Sequence, residues 1–193
     1  SARYFDELFA EVKETESLVK RFLSFARPLE FLPEPTDLGK LLQETVAPYK
    51  DSGIGENIDF CFEAENLIAG VPVIFSADAL LMKQALNNII DNAVGACEGI
   101  EGKIKVSLGL SGTALTIAVS DNGRGIPEDE IDKVFTPFFS SKPSGTGLGL
   151  PLAAKIIDLH GGHISVESKV GIGTTFRIHL TVKIPAEVAA SVR

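Results

Sequence analysis

Asn88 and Asn92 stand four residues apart in the run LNNIIDNA (86–93), where the periodicity predicts a helix. At that spacing both amides project from one helix face, and Leu86, Ile89, Ile90 and Ala93 supply the apolar side. Two amide oxygens so placed can serve Mg²⁺, which takes few protein ligands and keeps waters and substrate phosphates. Alone, such a pair more often marks a solvated face or a cap. Further on, Asp121 ends an apolar strand pattern and opens DNGRGIP (121–127). Its carboxylate can accept a hydrogen bond from the exocyclic amine of a base, or be an ordinary turn aspartate. VFTPFFSSK (134–142) follows, then GTGLGLP (145–151), which runs into the helical pattern LPLAAKIIDLH.

Five glycines punctuate these runs, at 123, 125, 145, 147 and 149. Without a Cβ, glycine backbone can take positive φ and approach a ligand closely. The second cluster leads into a helix, so its amides and the helix N-terminus present positive potential to a phosphate. Lys142, in a Ser/Pro/Gly-rich loop, can pair with that phosphate or be a plain surface lysine. Neither run is a Walker loop, which needs Gly-Lys-Ser/Thr after four intervening residues. Neither is the dinucleotide fingerprint, which needs G-x-G-x-x-G after a strand and a second βα unit.

The elements that must hold these residues follow from pattern. Over residues 4–27, Phe5, Leu8, Val12, Thr15, Val19, Phe22, Ala26 and Leu29 alternate steps of three and four, predicting one helix roughly 36 Å long. Its seam packs on the body of its own chain or on another helix, including that of a second copy. Pro28, Pro33 and Pro35 end it in a linker. Asp37 caps a helix over 37–50, and Asp78 starts another reaching about 97. Strands are predicted at 57–64, 71–76, 103–110, 114–120, 163–168 and 174–182, with a turn at Ser111-Gly112. Pro127 opens a short acidic helix, and a further helix covers 148–159. Helices and strands mix without regular alternation, so the expected class is α+β: a two-layer α/β sandwich, a mixed sheet with helices on one face, behind a long N-terminal helix.

With 193 residues the chain can bury a sizeable core. The net charge of −8 argues against a nucleic-acid partner, whose binders present a basic face. No apolar run reaches the roughly 20 residues needed to span a bilayer. Cys61 and Cys97 lack ligand-type spacing, which favours a reduced, intracellular setting.

LNNIIDNA, DNGRGIP, FTPF and GTGLGLP, in this order, resemble the N, G1, F and G2 boxes of the catalytic and ATP-binding domain of sensor histidine kinases. That family lies in the GHKL superfamily, shared with gyrase and the MutL repair proteins. HGGHISVES and GIGTTFRIHL resemble its closing strands, so the likeness covers about 37–182. LVKRFLSFARPLEFLPEPTDL is similar to the second helix and linker of the dimerisation and phosphoacceptor domain in nitrogen-regulation sensors. The resemblance implies a Bergerat-type fold and three regions: a truncated dimerisation and phosphoacceptor helix with linker start (1–32), a catalytic domain (33–185) and a tail (186–193). It implies that Asn88 and Asn92 hold Mg²⁺ and that Asp121 reads the adenine amine, supported by Thr174. Ala93 and Ile126 would line the ring, with Gly123 and Gly125 giving it room. A lid over 135–146 would be anchored on helices by Phe135 and Phe138. Lys142 with Gly145, Thr146, Gly147, Leu148 and Gly149 would hold the phosphates.

The implied partners are ATP and ADP, the phosphoacceptor helix of the same protein, a response-regulator receiver domain and, in the full-length protein, a second copy. The implied location is cytoplasmic, whether or not the whole protein is membrane-anchored. Two positions depart from the family pattern. Gly95 stands where many members carry a lysine, throwing phosphate charge onto Lys142. Asn88 stands where the hydrolysing relatives carry a water-activating glutamate, which disfavours fast hydrolysis. His160, His163 and His179 fit structural roles and none lies in the family's acceptor pattern, so the phosphoacceptor is expected outside this segment. The competing expectations are a binding module that holds nucleotide without turnover, and a GHKL-type ATPase.

Overall fold

A computed structural model describes residues 4–5, 9, 12–13, 15–16, 19, 22–23, 25–51, 57–65, 67, 71–141 and 145–182. The described positions between 4 and 26 are helical. Then follow strand β1 (Glu34–Asp37), helix α1 (Leu38–Asp51), strands β2 (Ile58–Glu65) and β3 (Ile74–Ala77), and helix α2 (Ala79–Ala96). Strands β4 (Gly102–Ser111) and β5 (Ala114–Asp121) lead to the short helix α3 (Glu128–Ile131), and helix α4 (Gly149–Leu159) to strands β6 (His163–Lys169) and β7 (Gly173–Thr181).

Five strands form one mixed sheet in the order β2-β4-β5-β7-β6, with β2 parallel to β4 and the other pairs antiparallel. The period of two divides its faces. Ile104, Val106 and Leu108 on β4, Leu115, Ile117 and Val119 on β5, and Phe176, Ile178 and Leu180 on β7 are all buried. Above them lie Leu81, Met82, Ala85, Leu86, Ile89, Ile90 and Ala93 of α2, Leu152, Ala153, Ile156 and Ile157 of α4, and Leu38, Leu41, Leu42 and Val46 of α1, in one core. The other face carries Lys105, Arg177 and His179, with ion pairs Lys105–Glu63 (2.5 Å) and Arg177–Glu167 (2.7 Å). This is the two-layer sandwich the pattern predicts.

One stretch read as linker is a strand. Residues 34–37 pair antiparallel with β3, Pro35 opposite Ser76. A proline is tolerated because this two-stranded ribbon has an open outer edge, where a missing N–H breaks no ladder. Asp37 then caps α1, its Oδ1 accepting from the N–H groups of Gly39 (3.0 Å) and Lys40 (3.3 Å). On the N-terminal helix, Phe5, Val12, Val19 and Phe22 are exposed, whereas Phe25 and Leu29 pack against the core. Among the described residues, then, the body of the chain leaves most of the apolar seam uncovered.

Asp78 ties the ribbon, α2 and α4 together. One carboxylate oxygen caps α2, accepting from Leu80 (3.1 Å) and Leu81 (3.0 Å), and the other accepts from the N–H of Leu32 (3.0 Å). Its own N–H donates to Nε2 of buried His160 (3.0 Å), whose Nδ1 lies 2.8 Å from the Ile156 carbonyl. Burial pushes the Asp78 carboxyl up, but the N–H donors of Leu81, Leu32 and Leu80 outweigh it and hold the group below its ordinary value. A depressed carboxylate stabilises the fold above its unfolded pKa and loses that contribution as pH falls through the folded one. Asp78→Ala is expected to cost about 1–2 kcal/mol in urea unfolding at neutral pH. The gap to wild type should narrow on acidification below pH 4 (roughly the unfolded aspartate pKa); a pH-independent gap would refute the charge-based account.

Candidate functional site

A cavity of about 440 Å³ opens between the Asn88 and Asn92 face of α2, the end of β5, the start of β7 and the two glycine loops. Of the residues named from sequence, Asn88, Asn92, Asp121, Gly125, Ile126, Gly145, Thr146, Gly147, Gly149 and Thr174 line it. Ala93, Gly123 and Leu148 do not: Ala93 and Leu148 have their side chains in the core or under the loop, and Gly123 is buried. Lys142 lies outside the described residues.

Asp121 is the last residue of β5 and pairs with Thr174 of β7. Its Oδ1 accepts the N–H of Gly123 (2.8 Å) and, more loosely, that of Thr174 (3.3 Å). Beneath them Ser168 accepts the Ile126 N–H (2.8 Å), donates to the Gly173 carbonyl (3.0 Å) and lies 2.9 Å from the Thr174 hydroxyl. With one hydroxyl proton used on Gly173, Ser168 must accept from Thr174. Burial, and then the negative charge of Asp121, raise the nearby Cys97 thiol above its ordinary pKa. That end of the cavity is therefore a fixed carboxylate at an apolar wall of Ile126, Val134 and Phe176.

At the opposite end, Asn88 faces the first turn of α4: a Cβ on Gly149 would sit 3.4 Å from Asn88 Oδ1. Asn88 Nδ2 is buried without a hydrogen-bond partner, an arrangement that is costly unless a ligand completes it. Turning the amide over exchanges its two ends, so this position offers either an oxygen to a cation or an N–H to a phosphate. No side chain caps α4, and its first amides open onto the same space, as an anion site requires.

The glycines are demanded by the protein's own backbone. At Gly125 (φ 71°) a Cβ would strike the Lys169 carbonyl, and at Gly147 (φ 63°) it would lie 2.5–2.6 Å from the backbone of Phe138 and Phe139. Gly123 is closed off by Ala96, 2.6 Å from where its Cβ would stand, so the room it provides is for α2 rather than for a ring in the cavity. The Gly147 carbonyl accepts the Phe138 N–H (2.9 Å), clasping the FTPF segment to the second glycine loop.

The two expected anchors part ways. Phe135 meets Phe176 of the sheet edge-on, ring centroids 6.3 Å apart, so it rests on a strand rather than a helix. Phe138 has positive φ (67°), is exposed, and stacks on Phe22 of the N-terminal helix at 6.4 Å. Phe139, which the pattern did not single out, is the phenylalanine of that segment that lines the cavity. Asp91, Glu98, Arg124 and Glu130 also line it, and Asp91 Oδ1 accepts the Tyr49 hydroxyl (2.8 Å). Burial first, then that bond and the Asp91 charge, hold the Tyr49 phenol well above its usual pKa. Asp91 and Arg124 could have been found from sequence, because they sit inside the two boxes. The three histidines lie off the cavity: His160 is packed with Asp78, while His163 and His179 stack at 4.6 Å on the polar sheet face.

A model of the histidine kinase-, DNA gyrase B- and HSP90-like ATPase family matches residues 77–184. The signal transduction histidine-protein kinase AtoS of Escherichia coli (strain K12) is 35% identical over 93% of this chain and 29% of its own length. The nucleotide-free catalytic domain of histidine kinase ThkA superposes with a TM-score of 0.66 at 34% identity, over 79% of this chain and 96% of that one. The structure of ThkA in complex with the response regulator protein TrrA gives 0.76 at 31% identity, over 94% of this chain and 51% of that one. The chain spans well under half the length of the curated relatives it matches. With that match taking in more than half of the chain, and with a carboxylate, two amides and an uncapped helix end facing one cavity, this chain belongs to the histidine kinase-, DNA gyrase B- and HSP90-like ATPase family.

Proposed function

We propose that this chain is the ATP-binding catalytic portion of a two-component sensor histidine kinase, of the nitrogen-regulation kind. It moves the γ-phosphate of ATP to a histidine outside this segment, for relay to the receiver domain of a response regulator. The observation that carries this reading is the convergence of Asp121, Asn88 and Asn92 on one cavity. Residues 1–32 are then the second helix and linker start of a dimerisation and phosphoacceptor domain, 33–185 the catalytic domain and 186–193 a tail. The exposed seam of Phe5, Val12, Val19 and Phe22 supports a homodimer in the full-length protein, and the ThkA–TrrA complex supports a receiver-domain partner. A cytoplasmic location goes with that role; no helix among the described residues is long and apolar enough to cross a membrane.

In this reading Asp121 accepts from the adenine amine, with Thr174 and Ser168 fixing the carboxylate behind it. The triphosphate runs toward Asn88, Asn92 and the first amides of α4, and residues 135–146, Lys142 among them, close over it as a lid. Asn88 and Asn92 fit Mg²⁺, since both line the same wall of the cavity and the Asn88 amide keeps one end without a hydrogen-bond partner; the ion would supply positive charge at the terminal phosphates. The protein's part is positioning and charge compensation for an in-line attack. Asn88 is no base, so water is not activated there and the phosphate is kept for the histidine.

Calorimetric titration with ADP should show Asp121→Asn binding at least about ten-fold more weakly, because an acceptor facing the amine becomes a donor; equal affinity would remove the assignment. Mg²⁺ should strengthen ATP binding by wild type and do so much less in Asn92→Ala, and an equal Mg²⁺ response in both would exclude that residue as a ligand. Given labelled ATP, the chain should acquire no acid-labile, base-stable phosphate, yet should label an added fragment bearing the acceptor helix. Label on the chain itself would overturn the proposal. Tight binding without transfer would favour the binding module, and steady phosphate release the ATPase.

A further inference from the structure

The wall of the cavity is acidic. Among the described residues, four acidic ones line the cavity, Asp91, Glu98, Asp121 and Glu130, and one cationic one, Arg124. Lys133 and Lys169 are neighbours of the lining loops in sequence but do not line it. A nucleoside di- or triphosphate adds several negative charges to that acidic wall, so any cation held there has a large effect on which ligands are accepted.

Arg124 is built in rather than dangling. Its N–H donates to the Ala96 carbonyl in the last turn of α2 (3.1 Å), and its own carbonyl accepts the Gly171 N–H from the β6–β7 turn (2.8 Å). The peptide groups on both sides are thus pinned to two different elements. The side chain is exposed and, among the described residues, forms no ion pair. Gly95, next to its anchor, puts no side chain in the way.

Its place along the cavity fixes what it can touch. Asp121 is three residues before it, whereas Asn88 lies eight residues back from Ala96 on α2, roughly 12 Å along the helix axis. If the base sits at Asp121 and the terminal phosphate at Asn88, as proposed above, the anchor of Arg124 lies nearer the base end, on the side of the sugar and the first phosphates. A guanidinium there suits the paired oxygens of a phosphate better than an ammonium would, because its donors form a planar fork.

We propose that Arg124 is the specificity-determining residue that makes this site prefer nucleotides to nucleosides, by pairing with the phosphates nearest the sugar. This rests on the reading of the cavity as an adenine-nucleotide site, and adds to it the group that recognises the ligand's inner charge.

The test is calorimetric titration of the chain with adenosine, AMP, ADP and ATP, in wild type, Arg124→Ala, Arg124→Lys and Asp121→Asn. Arg124→Ala should weaken AMP, ADP and ATP by a common factor of about ten to a hundred, and leave adenosine within about two-fold of wild type. Arg124→Lys should recover part of the loss, and added salt should weaken ADP binding more in wild type than in Arg124→Ala. An unchanged urea midpoint keeps a folding defect from imitating the result. Equal losses for adenosine and ADP in Arg124→Ala, or a loss confined to ATP, would overturn the role of Arg124 while Asp121→Asn still weakened binding of all four. Failure of the wild type to bind any of the four would instead remove the underlying reading of the site.

Discussion

Asp121 stands at the last ladder position of β5, opposite Thr174, with two backbone N–H groups on one of its oxygens. A carboxylate at the edge of an apolar core is costly unless its lone pairs are met by donors that do not move. Here they come from the sheet itself and from the loop that leaves it. The constraint spreads outward: β7 must be in register with β5, Ser168 must hold Thr174 and Ile126, and the loop after Asp121 must turn tightly enough to pass beneath Ala96 and Lys169. The glycines at 123 and 125 follow from that crowding. They serve the packing of loop on helix and turn, and the cavity is what lies on the far side.

Two fixed ends, set apart along α2, make a site that can hold a long ligand. The helix α2 spans the length of the cavity, so Asn88, Asn92 and the anchor of Arg124 are fixed relative to one another by one hydrogen-bonded rod whose underside is buried on the sheet. The segment from Phe135 to Thr146 is tied differently. Phe135 is seated against Phe176, and the Phe138–Gly147 bond joins its two limbs. Phe138 itself, with positive φ and largely exposed, stacks on Phe22 of the N-terminal helix. A small recess formed by Val19, Phe22, Phe138, Thr146 and Leu148 thus joins that helix to the loop that borders the Asn88 end. Loop and helix meet through apolar contact, while the Asp121 end is held by hydrogen bonds.

Much of this was legible in the residues themselves, because several signals agree locally. Alternation over β4, β5 and β7, the aspartate caps at 37 and 78, and the glycines that follow a strand or precede a helix each report short-range physics. The strand at 34–37 was not legible: two prolines in six residues argue for a linker, and only pairing with β3 along an open edge makes a strand of them. The histidines were read as structural, and His160 shows the reason, with both ring nitrogens engaged across a separation of 82 residues on one side and one helical turn on the other.

The sequence by itself determined which backbone could bend where, which faces would be apolar, and that one carboxylate and two amides would sit at element ends and on one helix face. Those are properties of a residue and its near neighbours. Tertiary structure alone decided which side of each loop meets the cavity: that Gly123 and Ala93 face inward to the protein, that Phe139 rather than Phe138 borders the site, and that Glu130 joins it. Such choices depend on register between β5 and β7 and on the approach of α2 to the loop after Asp121. Both are set by contacts between residues far apart in the chain, which no local pattern encodes.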